Sequence, residues 1–281
     1  MKVDIQITDQ DLPVLSVVAT EALEMLKDPE VSNSKLETLI RRDPSLTQRV
    51  LHTANSPFYA GRAESQTISQ AILRLGLRQL RNVIIIAATG ELFHQDDPIA
   101  QAMWEHSVAT AIASANLSEA LGQAHSEEAF IAGMLHDVGK MIIYRQHPEI
   151  YQPLIRQAEQ DQCGILEIEE NTFKYFTHVS VGGLVIRKWN LAEPIAEAAR
   201  FHHLLEHQMP TPNNMVNPPQ CCIVSLANVL VTSLGHSLAH RPIESLSELF
   251  CVQRLGLNAD RLDAITREIA ELLENQNGCF A

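Results

Sequence analysis

The sequence has few cysteines, and their placement fits neither a zinc ribbon nor a disulfide framework. The five cysteines are odd in number and show no Cys-x-x-Cys spacing, whereas both kinds of framework use paired or closely spaced cysteines. A reducing compartment therefore fits the chain best. The amino terminus alternates polar and apolar residues, so we expect no signal peptide and a cytoplasmic protein.

Long apolar runs and basic clusters are also scarce. The most apolar long stretch, residues 221–234, includes Ser225 and Asn228 and is shorter than the roughly 20 residues of a membrane-spanning helix. The formal net charge is -13, which argues against a general nucleic-acid-binding protein because phosphate contacts require clustered lysine and arginine. We therefore expect neither a membrane nor nucleic acid as a partner.

Aromatic residues make up only 5% of the chain, while apolar residues make up 46%, a balance that favours packed helices over β-sandwiches. Helical periodicity recurs between Asp-Pro, Ser-Pro and glycine signals, and Asp43-Pro44 is typical of a capped helix start. The apolar run 83–88 could form a buried strand, but the periodicity of the preceding residues favours a buried helix. We predict an all-α fold.

A change in composition near residues 95–98 predicts two parts, an amino-terminal helical subdomain over 10–95 and a second helical subdomain over 99–281. Ten of the twelve histidines follow residue 100, so the second part is the candidate for chemistry. Its periodicity predicts a helix over 99–121 that carries His106 and one over 126–145 that carries His136 and Asp137.

The run from Leu135 to Lys140 places His136 directly before Asp137. An adjacent imidazole and carboxylate can offer nitrogen and oxygen ligands to one divalent cation, such as iron, manganese or zinc. Alone, such a dipeptide is better explained by a surface or capping role. A metal site is favoured because further histidines accompany this pair, namely His106, His178 and the pair His202-His203.

These residues resemble the HD superfamily of metal-dependent phosphohydrolases. In that superfamily a first histidine, a His-Asp pair, further histidines and a final aspartate converge on one or two metal ions within a helical bundle. The resemblance assigns metal-ligand roles to His106, His136, Asp137, His178, His202, His203 and Asn228. Asn228 stands where the family has aspartate, and its neutral amide should weaken the site. A metal-free, vestigial cluster of hydrogen-bonded histidines is the alternative.

The amino-terminal half narrows the resemblance to the HDOD domain, the HD-related output domain of bacterial signalling proteins. The match covers about residues 10–210, and it rests on Leu12-Pro13 and on the segments 43–47, 54–57, 71–76, 133–140 and 188–191. It implies a multi-helix bundle of the HD/HDOD type with an amino-terminal helical subdomain.

The HDOD resemblance also implies a function. We expect a non-catalytic signal-transduction module that partners other signalling proteins and takes a nucleotide or phosphate ligand. The alternative is a metal-dependent phosphohydrolase acting on a nucleotide or another phosphate ester, in which Asp137 and Lys140 would be catalytic. Lys140 could equally cap a helix carboxyl end. The oligomeric state stays open.

Other residues have simpler interpretations. Arg74, Arg78 and Arg81 could present a basic face to nucleic acid or an acidic partner, but a solvated helix surface explains them better. Trp104 and Trp189 lie on apolar helix faces and are expected in the core. Seven histidines fall outside the pattern and are expected to be solvated or core residues: His52, His94, His125, His147, His207, His236 and His240.

Overall fold

The computed structural model describes residues 2–28, 30–56, 59, 64–90, 97–123, 126–203, 215–239 and 245–275. Regular structure in these ranges is helical, apart from one isolated bridge between Val3 and Phe173, which confirms the all-α prediction. The chain divides into two compact units. The large unit contains residues 1–13 and 95–274, and the small unit is built mainly from residues 14–94. His94, His125, His207 and His240 lie outside the described residues.

The small unit consists of four helices: α1 (Val17–Met25), α2 (Asn33–Ile40), α3 (Pro44–Asn55) and α4 (Ile68–Gly90). The start of α3 follows the predicted pattern, since Asp43 Oδ1 accepts a hydrogen bond of 2.9 Å from the Leu46 backbone N–H and Pro44 occupies the first turn. The run 83–88 lies within α4, which packs on the other three helices. The prediction of a buried helix rather than a strand is therefore confirmed.

Helix α4 is interrupted at Gly76, which has φ 74° and ψ 171°, a conformation that favours glycine. Arg74 precedes the interruption and donates hydrogen bonds to the carbonyl oxygen of Ala54 and, at 3.2 Å, to Asn55 Oδ1. Arg78 and Arg81 follow it. The three arginines therefore do not share one regular helix, and the basic stripe that their spacing suggested is broken.

The large unit contains ten further α-helices among the described residues, with one 3₁₀ turn at Leu246–Glu248 before α13. The helices are α5 (Pro98–Ala120), α6 (Ser126–Leu135), α7 (Val138–Gln146), α8 (Pro148–Asp161), α9 (Ile165–Thr172), α10 (His178–Lys188), α11 (Glu193–Phe201), α12 (Pro218–Ser233), α13 (Phe250–Arg254) and α14 (Ala259–Asn275).

The core of the large unit is formed by α5, α6 and α12, which pack on one another and carry buried residues on all sides. Helix α11 packs on α6, α10 and α12, and α7 packs on α8 and α10. Trp104 and Trp189 are both buried, with 5% of their surface exposed, so they belong to the core as expected. Within the described ranges, no helix combines the length and the apolar character that a membrane crossing requires.

The first residues of the chain lie against the carboxyl half of the large unit. The backbone N–H of Val3 donates to the carbonyl oxygen of Thr172 at 2.7 Å. Lys188 donates to the carbonyl oxygen of Asp9, and Trp189 Nε1 donates to that of Pro13 at 2.9 Å. This amino-terminal segment, residues 2–13, therefore packs beside α9 and α10, the elements that surround His178.

Candidate metal centre

The His136-Asp137 pair lies in a turn between two helices. The sequence predicted one helix over 126–145, but α6 ends at Leu135 and α7 begins at Val138, so this prediction is wrong. On a continuous helix, successive side chains point about 100° apart. Asp137 instead has φ -105° and ψ 11°, and its carboxylate does not cap α7. The break lets the imidazole and the carboxylate of neighbouring residues meet at one point.

Four imidazoles around this turn are held through the same ring atom. In His106, His136, His178 and His202, Nδ1 lies within hydrogen-bond distance of a carbonyl or carboxylate oxygen. These oxygens belong to His236 (2.6 Å), Gly133 (2.7 Å), Glu169 (2.7 Å) and Ala199 (3.0 Å), respectively. Since an acceptor faces each Nδ1, the proton of the neutral ring resides there, and Nε2 is left with its lone pair.

All four Nε2 atoms face the carboxylate of Asp137. On one side, Oδ2 lies 3.2 Å from His136 Nε2 and 3.5 Å from His106 Nε2, and these two nitrogens are 3.3 Å apart. On the other side, Oδ1 lies 3.5 Å from His178 Nε2 and 3.4 Å from His202 Nε2. Unprotonated nitrogens repel an anionic oxygen at these distances, and a cation between them would remove this repulsion.

The donor atoms fit a metal ion in both spacing and chemistry. Metal bonds of about 2.1 Å in a tetrahedral arrangement place neighbouring donor atoms about 3.4 Å apart, close to the distances around Asp137. Asp137 Oδ1, His178 Nε2 and His202 Nε2 are buried and make no hydrogen bond, although buried polar atoms normally have a partner. A divalent ion would supply that partner, and imidazole with carboxylate suits zinc, iron and manganese.

His203 and Asn228 complete the predicted set. The ring of His203 lies 4.1 Å from that of His202 and 5.2 Å from that of His178, between centroids. Two groups of candidate ligands result, and they share Asp137. We call His106, His136, Asp137, His178, His202 and His203 the histidine–aspartate cluster. Asn228 is buried on α12, which packs on α5 and α6. The metal-ligand role of all seven residues stays a prediction.

Lys140 lies one turn after the pair and contacts it directly. Its Nζ is 2.6 Å from Asp137 Oδ2, and 18% of its side chain is exposed. A pocket of about 40 Å³ opens beside this ion pair. His106, Asp137 and Lys140 line one part of the pocket, and the rest is mainly apolar, including Met103 and Ile155. Two cluster residues, His106 and Asp137, therefore face this pocket together with Lys140.

Sequence reasoning missed Glu169, a fully buried carboxylate on α9. Its Oε2 accepts hydrogen bonds from the backbone N–H of His178 at 2.8 Å and from His178 Nδ1 at 2.7 Å. Its Oε1 accepts a hydrogen bond from the hydroxyl of Tyr151. Carboxylates that hold a ligand histidine in this way orient the ring and raise its basicity. A signal was present, since Glu169 shares the apolar face of α9 with Ile165.

Burial governs the protonation of the cluster. Desolvation, with the neighbouring imidazole of His136 as the next cause, lowers the pKa of His106 to about 4. Burial likewise lowers the pKa values of His178 and His202. For Asp137, burial acts to raise the pKa, but the neighbouring imidazoles of His136 and His202 and the charge of Lys140 together outweigh it and hold the pKa well below its usual value. Neutral imidazoles around an anionic carboxylate are the state in which these groups bind metals.

These shifts predict that the metal-free protein loses stability on mild acidification. Between pH 6.5, the ordinary pKa of histidine, and about pH 4, the unfolded chain carries a proton on residue 106 that the folded protein lacks. Stability therefore falls as the pH falls, by about 1.4 kcal/mol per pH unit for each such histidine. Urea unfolding with a chelator at pH 7, 6 and 5 measures this slope. We expect a shallower slope for His106→Gln, and an equal slope would contradict the assignment.

The chain resembles known proteins over most of its length. The sequence profile of the HDOD domain matches residues 12–205. An uncharacterized protein from Treponema pallidum (strain Nichols) is 27% identical over 246 residues, which cover 86% of this chain and 47% of that protein. The chain thus spans about half the length of this curated relative.

Solved structures agree with the sequence match. The crystal structure of an HDOD domain protein from Geobacter sulfurreducens is 26% identical, with a TM-score of 0.72 and coverage of 94% of this chain and 93% of that chain. A protein from Marinobacter aquaeolei VT8, whose name proposes a role in signal transduction, is 21% identical with a TM-score of 0.77, covering 98% of this chain and 62% of that chain. At this identity the second likeness establishes the fold alone.

Proposed function

The chain belongs to the HDOD domain family, and on this premise we propose that it is a bacterial signal-transduction module that binds a divalent metal ion and regulates partner proteins without catalysis. The observation that carries the proposal is the convergence of four imidazole Nε2 atoms on the buried carboxylate of Asp137. The name of the structural relative from Marinobacter aquaeolei supports a signalling context. We place the protein in the cytoplasm, with other signalling proteins as its partners.

A bound ion would act on the structure because the cluster draws its residues from separate elements. His106 lies in α5, His136 and Asp137 lie between α6 and α7, His178 begins α10, and His202 follows α11. An ion held by these side chains would add a further link between helices that already pack on one another. Metal occupancy would thereby set the rigidity of the large unit. A partner that binds the metal-bound and metal-free forms with different affinity would then respond to the metal.

Metal binding should be visible as a gain in stability. At a free zinc or manganese concentration about 100 times the Kd, binding adds about 2.7 kcal/mol, which raises the Tm by roughly 5 °C for a domain of this size. Thermal unfolding with metal and with a chelator measures the shift. We expect His136→Ala to abolish it and the exposed His52→Ala to retain it. A wild-type protein that gains no stability from zinc, manganese or iron would contradict the proposal.

The second candidate is a metal-dependent phosphohydrolase, which the pocket beside Asp137 and Lys140 favours. In that reaction Asp137 would hold the metal, Lys140 would contact a phosphate oxygen, and the metal would supply Lewis-acid activation of water. Asn228 stands where the family has a carboxylate, which favours the non-catalytic function. A neutral amide neutralises less of the metal charge than a carboxylate does, so the site should hold the metal more weakly.

Turnover assays separate the two candidates. Purified protein is incubated with nucleotides, cyclic dinucleotides and a generic phosphodiester, each in the presence of manganese, iron, magnesium or zinc. We expect no turnover above that of His136→Ala. Robust metal-dependent hydrolysis by the wild type, absent from His136→Ala and retained in His52→Ala, would establish the enzyme and refute the non-catalytic function.

A further inference from the structure

We infer that the ammonium group of Lys140 occupies one of two cation positions around Asp137, so that the cluster takes a single divalent ion on the side of His178 and His202. This inference rests on the metal site of the proposed function and specifies how many ions that site holds and where. It concerns Lys140, for which the sequence suggested two alternative roles, a contact with a phosphate or a cap of the helix carboxyl end.

The carboxylate of Asp137 has two faces with separate sets of nitrogen donors. Oδ2 faces His136 and His106, at 3.2 and 3.5 Å. Oδ1 faces His178 and His202, at 3.5 and 3.4 Å. Each face therefore has the donors for one cation, and only Asp137 is common to both.

The two faces differ in what they already contact. Oδ2 accepts a hydrogen bond from Lys140 Nζ at 2.6 Å, and a charge-assisted hydrogen bond of this length is among the stronger ones in proteins. On the other face, Oδ1 and the Nε2 atoms of His178 and His202 are buried without a hydrogen bond. A metal ion satisfies three orphaned atoms on the Oδ1 face, whereas on the Oδ2 face it would have to displace the ammonium group.

The charges lead to the same conclusion. The buried carboxylates in contact with cluster histidines among the described residues are Asp137 and Glu169, which together carry two negative charges. Lys140 supplies one positive charge. A single divalent ion leaves a net charge of about plus one, whereas two ions leave about plus two with the ammonium group displaced and about plus three with it in place. Uncompensated charge in a buried site is costly.

Counting bound ions tests the inference. The full chain is dialysed against buffered free zinc over a range of concentrations, and bound zinc per protein is measured by elemental analysis. We expect one tight ion in the wild type. In Lys140→Met, which removes the charge but keeps a long side chain, we expect a second ion that binds about tenfold or more tighter than any second ion in the wild type. Lys27→Met, an exposed lysine in the small unit, should behave as the wild type.

Two further variants locate the ion. His178→Ala should lose the tight ion, whereas His106→Ala should keep it, and circular dichroism confirms that both are folded. Two equally tight ions in the wild type, a single ion in Lys140→Met at every concentration, or loss of the tight ion only in His106→Ala would each overturn the inference. If neither the wild type nor Lys140→Met binds zinc, the proposed function itself fails, which is a distinguishable outcome.

Discussion

Replacing Gly139 with alanine is expected to destabilise the protein by about 3 kcal/mol or more and to weaken metal binding. Gly139 lies in the first turn of α7, where this helix meets the start of α10. A Cβ atom here would overlap the carbonyl oxygen of His178 and lie 2.8 Å from the backbone nitrogen of Gly182. Backbone cannot swing aside as a flexible side chain can, so α7 and α10 would have to separate, which draws His178 away from Asp137.

Stability and metal affinity are measured separately for this variant. Urea unfolding of the metal-free protein gives the free energy of unfolding, and competition with a chromophoric chelator gives the zinc affinity. Gly164→Ala is the matched control, because Gly164 has φ -73° and a Cβ atom there meets nothing within 4 Å. We expect this control to change stability by no more than about 0.5 kcal/mol. If Gly139→Ala behaved as the control does, the close approach of α7 and α10 would be refuted.

Replacing Glu169 with alanine is the other change expected to have a large effect. The Glu169 carboxylate accepts hydrogen bonds from the Tyr151 hydroxyl and from two nitrogens of His178, and both of these residues are fully buried. Each buried donor left without an acceptor costs about 1–3 kcal/mol, so we expect a total loss of at least about 3 kcal/mol. Metal affinity should also fall about 10- to 100-fold, because the His178 ring loses its orienting partner.

Glu169→Gln separates the two effects. Glutamine keeps the shape and one acceptor oxygen, so most of the stability should remain, but its neutral amide cannot raise the basicity of His178. We therefore expect a stable protein with weakened zinc binding, measured by chelator competition. Glu167→Gln, an exposed position on the same helix, is the control and should leave both quantities unchanged. Unaltered zinc affinity in Glu169→Gln would exclude a role for Glu169 in holding the metal-binding ring.

The fold could be predicted largely from local patterns. Asp43-Pro44 and Asp97-Pro98 mark helix starts because an aspartate cap and a proline in the first turn act within a few residues. The break at His136-Asp137 could not be predicted in this way, because the residues on both sides continue an apolar helical pattern. The break instead lies beside a contact between elements that are distant in sequence, the close approach of α10 to Gly139.

The side chains that face Asp137 could be predicted from the sequence. The backbone carbonyl oxygens that contact the histidine rings could not. The grouping of His106, His136 and His178 around Asp137 agrees with the set that the resemblance to the HD superfamily implied. The carbonyl oxygens that orient the rings have no sequence signal, because any residue type can supply them. His236, which was expected to lie outside the site, contributes its backbone carbonyl oxygen to His106. Glu169 lies between these cases, because only its position on the apolar face of α9 distinguished it from neighbouring acidic residues.

The amino-terminal segment, residues 2–13, affects the order in which the parts of the large unit can fold. Residues 2–13 are synthesised before the residues they contact, since Lys2 and Asp9 form hydrogen bonds with residues that lie 168 and 179 positions later in the chain. Residues 14–94 can meanwhile fold on contacts of their own. Contacts between such distant residues close late in folding. The surroundings of α9 and α10 are thus completed only when residues 2–13 pack against them, so His178 would be among the last side chains of the histidine–aspartate cluster to be fixed in place.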